Sequence, residues 1–261
     1  MQTSIHNRRT LGVIAVAAWL LACGGPKSSS TSGSNGGPMP TSKMTMNLRV
    51  ESTEPGKAVV RANLNDGKLF PTSYRLDGGD FLRACISGVC RSMADNDSVY
   101  TPDYIARFDF QPGVDYVVSF NRQQATNAPD SRASLPPEFT MVTPANHQQV
   151  TDGDNVIVSW SPTGAPADVS LSYSADCTFV SGTHSFSSGT LSDDTNADGR
   201  ESVAIDPIVT FAGTNATSRI TRCSIDVTVS HQLQGHVDPA FNKGYALGIV
   251  SRKVNLDYIP R

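Results

Sequence analysis

An all-β protein is predicted, built as two tandem antiparallel β-sandwiches behind a flexible leader. Three observations predict it. Apolar residues recur at every second position, the period of a strand with one buried face. Clusters of Gly, Pro, Asn and Asp separate those runs, as turns require. The composition agrees: the 261 residues are 38% hydrophobic but only 7% aromatic, with 21 Gly and 16 Pro, a turn-rich balance unlike that of a helical bundle.

The N-terminus comes first. Arg8 and Arg9 precede a twelve-residue apolar stretch, Leu11 to Ala22. A basic region followed by an apolar run of this length has the form of a secretory signal, too short for a spanning helix. It ends in Leu20-Leu21-Ala22-Cys23, which resembles the lipobox of bacterial lipoproteins. The resemblance implies cleavage before Cys23, with Cys23 diacylated on sulfur and acylated on its new amine. With Gly24 and Gly25 following, and no Asp, it also implies sorting to the bacterial outer membrane, its periplasmic or surface face left open. From Gly24 to Ser42, 17 of 19 residues are Gly, Ser, Thr, Pro or Asn. Such a stretch buries no apolar surface and reads as a tether with a reach of roughly 25 Å. Residues 1–22 are thus the expected signal and residues 23–42 the lipidated cysteine and its tether.

The first sandwich is expected over residues 43–134. Met46, Leu48 and Val50 alternate with Asn47, Arg49 and Glu51. Ala58, Val60, Ala62 and Leu64 repeat the pattern, followed by Tyr104, Ala106, Phe108 and Phe110, then Val114, Tyr116, Val118 and Phe120. Turns are expected at Glu54-Pro55-Gly56, Asn65-Asp66-Gly67, Asp77-Gly78-Gly79 and Gln111-Pro112-Gly113. The run from Gly113 to Phe120 resembles the tyrosine-corner strand of immunoglobulin-like domains, with Tyr116 at the corner.

Ala133-Ser134-Leu135-Pro136-Pro137 marks the boundary, since a double proline cannot sit in a central strand. The second sandwich is expected over residues 135–261. Its opening, Pro137 to Met141 and then Val156 to Pro162, resembles a fibronectin type III domain, which implies that Trp160 packs into the core. Val169 to Tyr173, Cys223 to Val229, and Val254, Leu256 and Tyr258 are read as further strands. The stretch from His231 to Gly244 departs from that pattern and is expected to be an inserted loop.

Five cysteines are present; with Cys23 assigned to lipid, four remain and allow three pairings. In Cys85-Ile86-Ser87-Gly88-Val89-Cys90 a two-residue turn at Ser87-Gly88 sets Cys85 opposite Cys90, within disulfide range. Cys177 and Cys223 are then left for each other, each on the apolar face of its strand. A four-cysteine metal site would call for Cys-x-x-Cys ligand pairs, which the spacing lacks.

Candidate chemistry is sparse. Asp194, Asn196, Asp198 and Gly199 resemble the start of a calcium loop, which makes the first three candidate metal ligands. Ile205 occupies the place of the twelfth-position glutamate, and Glu201 and Asp193 lie off register, so a solvated hairpin tip is the plainer reading. His231, His236 and Asp238 are close in sequence, and Asp77-Gly78-Gly79-Asp80 carries two carboxylates at a turn. No Gly-x-Ser-x-Gly, His-Glu-x-x-His or phosphate loop occurs. A formal charge of −3, falling to −5 once Arg8 and Arg9 leave, disfavours nucleic acid as a partner. The expectation is therefore a lipid-anchored envelope protein without catalysis or cofactor, bound to the membrane through Cys23 and to an envelope protein or glycan through loops or strand edges. A surface adhesin or carbohydrate-binding module, presenting Tyr100, Tyr104 or Tyr245, and an envelope hydrolase are the alternatives.

Overall fold

The computed structural model describes residues 39–96, 102–164, 168–192, 198–212 and 219–261. A short 3-10 turn, η1 (Thr41–Lys43), leads into β1 (Thr45–Ser52), which pairs with β2 (Lys57–Asn65) across the turn at Gly56. Met46, Leu48 and Val50 on β1 and Ala58, Val60, Ala62 and Leu64 on β2 are all buried, the one-sided burial that period-two patterning demands. The chain continues through β3 (Phe81–Ile86), β4 (Val89–Ser92), β5 (Ala94–Asp95), β6 (Tyr104–Asp109), β7 (Asp115–Asn121) and β8 (Ala128–Ser134). Strands β1-β2-β6-β5 neighbour one another in one sheet and β4-β3-β7-β8 in another. The two meet through Phe108 and Tyr116, whose rings cross edge to face with centroids 5.9 Å apart. The Tyr116 hydroxyl donates to the Asp109 carbonyl at 3.2 Å and accepts from the Gln111 amide at 3.1 Å, closing the bend between β6 and β7.

The second half runs through β9 (Thr140–Thr143), β10 (Gln148–Val150), β11 (Asn155–Ser161), β12 (Asp168–Phe179), β13 (His184–Ser192) and β14 (Arg200–Ala204). After a single short helix among the described residues, α1 (Asp206–Ala212), come β15 (Ile220–Gln234) and β16 (Lys243–Tyr258). A three-stranded sheet, β14-β11-β9, faces the larger one, with Val156, Val158 and Trp160 buried between them.

The two halves share a sheet. Its order is β13-β12-β15-β16-β1-β2-β6-β5, with β10 also on β16. Along one edge β16 pairs in parallel first with β1, from Thr45↔Lys243 to Ser52↔Val250, and then with β10, from Gln148↔Leu256 to Val150↔Tyr258. Along its other edge it pairs antiparallel with β15, from Gln234↔Leu247 to Cys223↔Tyr258. The expected inserted loop from His231 to Gly244 is therefore corrected. His231–Gln234 complete β15 and Lys243–Gly244 begin β16, leaving a short crossing over β8. The polar His231-Gln232-Leu233-Gln234 reads as loop in isolation, yet β16 along its whole length and β12 beside His231 and Gln232 hold it extended.

Gly248 makes the shared strand possible. The segment from Ser134 to Phe139 leaves β8 across the face of β16, and a Cβ built on Gly248 would lie 1.7 Å from the Ser134 carbonyl oxygen. No side chain fits there.

Both cysteine pairs are bonded, Cys85 to Cys90 and Cys177 to Cys223. The first closes the β3–β4 hairpin, whose turn residues Ser87 and Gly88 both have positive φ, 48° and 81°. The second links directly opposed residues of β12 and β15.

Candidate functional site

Two places in the molecule combine unusual groups. One is the seam where β16 passes from its pairing with β1 to its pairing with β10. Ala246, Val250, Val254, Leu256 and Tyr258 on one face of β16 are buried, and Arg252 interrupts that apolar row at the seam. Its side chain is 10% exposed. Its guanidinium donates to the Ser52 and Ser251 carbonyls at 3.0 and 2.8 Å and to the Glu138 carboxylate at 3.3 Å. Glu138 also accepts the Gly56 amide at 2.9 Å. One ion pair thus ties the β1–β2 turn, the crossing segment and the shared strand together. Burial pulls the guanidinium below its ordinary pKa, and the Glu138 charge opposes that shift.

Beside it lies His231, 1% exposed. The imidazole stacks on Phe139 with centroids 4.1 Å apart and meets Trp160 edge-on at 6.2 Å. Neither ring nitrogen has a hydrogen-bond partner. Removal from water pushes its pKa down to about 4, so the ring is neutral at neutral pH and packs as an aromatic core residue. It offers no proton-transfer partner to a substrate.

The other place is a groove of about 830 Å³ between β13 and β14. Strand β13 pairs only with β12, and β14 only with β11, so among the described residues each leaves one backbone edge without a strand neighbour. Leu191, Val203 and Ile208 give the groove an apolar lining, Glu201 adds a carboxylate, and Ser188 and Thr190 supply hydroxyls. Helix α1 packs against β12 and β13 and contributes Ile208. Asp206-Pro207 starts it in the usual way, a proline in the first turn where its missing N–H costs nothing. The Tyr173 ring lies across Gly189, where a Cβ would come within 2.9 Å of it. Ser187 Oγ is buried without a partner. Among the described residues, two strand edges without a strand neighbour beside an apolar lining form the kind of surface to which an extended peptide adds.

The residues singled out in the sequence fall as follows. Cys23 lies outside the described residues, as do Asp194, Asn196 and Tyr100. Asp198 is exposed and its carboxylate accepts the Arg200 amide at 3.0 Å, a local turn bond. No group of three or more His, Cys, Asp or Glu able to hold a metal occurs among the described residues. His231, His236 and Asp238 do not converge: His231 is in the seam, His236 is exposed with its backbone bridged to Arg132, and Asp238 is buried. The Asp238 carboxylate is consumed by the Asp130 and Ala240 amides at 2.9 and 2.8 Å. Asp80 likewise serves the fold, accepting from Arg122 at 2.8 Å and from the Gln123 amide at 2.9 Å. Tyr104 is buried, its hydroxyl accepting the Leu76 amide at 2.8 Å, and Tyr245 lies under the Arg49 guanidinium at 5.7 Å.

Sequence reasoning missed Arg122, Arg252 and the groove. Neither arginine has a local pattern to mark it, because their partners lie 42 and 114 residues away. No protein-family model matches the chain, and no curated protein matches it.

Proposed function

We propose that this is a lipid-anchored bacterial envelope protein that works as a non-catalytic binding or assembly module. It is held in the outer membrane through Cys23 and takes an extended segment of an envelope partner into the β13–β14 groove. The observation that carries the reading is the pair of strand edges that have no strand neighbour among the described residues, beside that apolar lining. A chain adding to either edge gains backbone hydrogen bonds along its length, with Leu191 and the exposed Phe186 among the apolar residues at the groove.

We further read both sandwiches as immunoglobulin-like. The order β1-β2-β6-β5 against β4-β3-β7-β8 follows the ABED and C′CFG arrangement of such domains, and β9-β11-β14 against β10-β16-β15-β12-β13 follows its variable-type relative. The Tyr116 bond back to Asp109 is the tyrosine corner that the fold uses at this bend.

The test is photo-crosslinking in the native bacterium from a benzoylphenylalanine at Thr190 on β13, with Lys253, three strands away on β16, as control. A discrete adduct from Thr190 that is absent from Lys253 supports the groove. Identical patterns from both positions, or none from Thr190, refute it. For the anchor, Cys23→Ser followed by membrane fractionation decides: a variant that stays with the membrane as before removes the lipid reading.

A further inference from the structure

The connection between β2 and β3 carries two large apolar side chains into solvent side by side: Leu69 is 89% and Phe70 86% exposed. Single exposed apolar residues are ordinary on protein surfaces, but here two adjacent ones crown a loop whose base is fixed. Asp66 and Thr72 close that base reciprocally, the Asp66 amide to the Thr72 carbonyl at 3.2 Å and the Thr72 amide to the Asp66 carboxylate at 3.0 Å. Lys243 Nζ donates to the Gly67 carbonyl at 2.7 Å, tying the loop to the start of β16. The tip is thus presented by a rigid stem, so little ordering entropy remains to be lost when it meets a partner.

Its position says which partner. The same loop returns through Tyr74, whose hydroxyl lies 3.3 Å from Met39 Sδ. Met39 is the first described residue, and the Arg122 guanidinium, 3% exposed and paired with Asp80 at 2.8 Å, holds its carbonyl and the Thr41 hydroxyl. The point where the leader enters the folded body is therefore pinned, and it touches the loop that carries Leu69 and Phe70. Only fifteen residues of sequence, Gly24 to Pro38, separate this end from Cys23. Lys43, Lys68 and Lys243 are exposed at the same end, although the body as a whole is acidic.

We propose that the Leu69-Phe70 tip inserts into the interface of the bilayer that holds the acyl chains of Cys23, with the flanking lysines among anionic headgroups. The inference rests on the lipid-anchor reading of Cys23 and adds a second contact to it. Lipid alone leaves the body free to reorient on its tether; acyl chains and tip together fix one face toward the membrane. Strand β16 then rises from Lys243 at the bilayer end to Tyr258, about 50 Å at the usual rise of a strand. The β13–β14 groove, alongside the later half of that strand, points away from the lipid.

The experiment uses the full chain purified from membranes and reconstituted into phosphatidylethanolamine and phosphatidylglycerol vesicles, with and without brominated acyl chains. Mass spectrometry of the N-terminal peptide reads the lipid on Cys23. Fluorescence of Phe70→Trp, and independently of Leu69→Trp, reads insertion over the background of the buried Trp160. Val180→Trp, in the turn between β12 and β13, is the distal control. A Cys23 lipid together with at least twofold bromolipid quenching at positions 69 and 70, but not at 180, is the expected result. A Cys23 lipid with no quenching at either tip position overturns the insertion proposal and leaves the anchor standing. Equal quenching at position 180 also overturns it, as non-specific adsorption. A Cys23 without lipid overturns the anchor reading and the tip proposal with it.

Discussion

Replacing His231 by Leu isolates the contribution of the seam to acid stability. The ring is 1% exposed, has no hydrogen-bond partner on either nitrogen, and has its pKa lowered to about 4 from the ordinary 6.5. The unfolded chain therefore binds a proton in the window between those two values that the folded protein refuses, and stability falls as pH drops through it. At about 1.4 kcal/mol per unit, the full loss is about 3 kcal/mol, of which about 2 kcal/mol is already gone at pH 5. The rings it touches carry no charge to offset the one it would gain: Phe139 stacks on it and Trp160 meets it edge-on. Leu removes the titrating group and keeps the site apolar. The assay is urea unfolding of the wild type and His231→Leu at pH 7 and pH 5, reading the change in their stability difference rather than either value alone. The variant should lose about 2 kcal/mol less than the wild type over that interval. Parallel pH profiles would refute the reasoning, because His231 would then titrate alike in both states or the seam would be open to water.

Other perturbations follow from the same geometry. Gly248→Val forces a side chain into the Ser134 carbonyl and should cost about 3 kcal/mol or more, whereas Gly56→Ala, with positive φ but open space, should cost about 1 kcal/mol; thermal unfolding compares them. Arg122→Met strands the Asp80 carboxylate and should cost about 3–5 kcal/mol, with partial recovery on adding Asp80→Asn in a double-mutant cycle. Replacing Cys177 and Cys223 by Ser opens a 46-residue separation and should cost about 4 kcal/mol, against about 2 kcal/mol for Cys85 and Cys90, five apart. A chain ending at Ser134 loses the β16 partner of all eight β1 residues and should aggregate rather than fold alone, as sedimentation will show.

Legibility tracks how local each cause is. The alternation in β1, β2, β6 and β7 and the turn between Cys85 and Cys90 were readable because neighbours two to five residues apart decide them. Strand β13 was not, since His184-Ser185-Phe186-Ser187-Ser188-Gly189 has little apolar contrast and becomes a strand by pairing with β12. The later half of β15 and the early half of β16 were hidden for another reason. The early half of β16 extends along β1, nearly two hundred residues earlier, and the later half of β15 along β16 and β12, partners that no periodicity within residues 231–244 encodes. The groove was invisible for the same cause, being an arrangement of edges rather than a motif.

The β1–β16 pairing also fixes how the molecule bears load. Tension entering along the leader at Thr45 and leaving along β16 beyond Val250 pulls the two parallel strands lengthwise past each other. Every hydrogen bond from Thr45↔Lys243 to Ser52↔Val250 is then strained at once, instead of opening one after another like a zip. Resistance to such a pull is set by the barrier to rupturing the whole ladder together, a rate rather than an equilibrium quantity. A strand borrowed across a seam makes the two halves of the chain a single mechanical element.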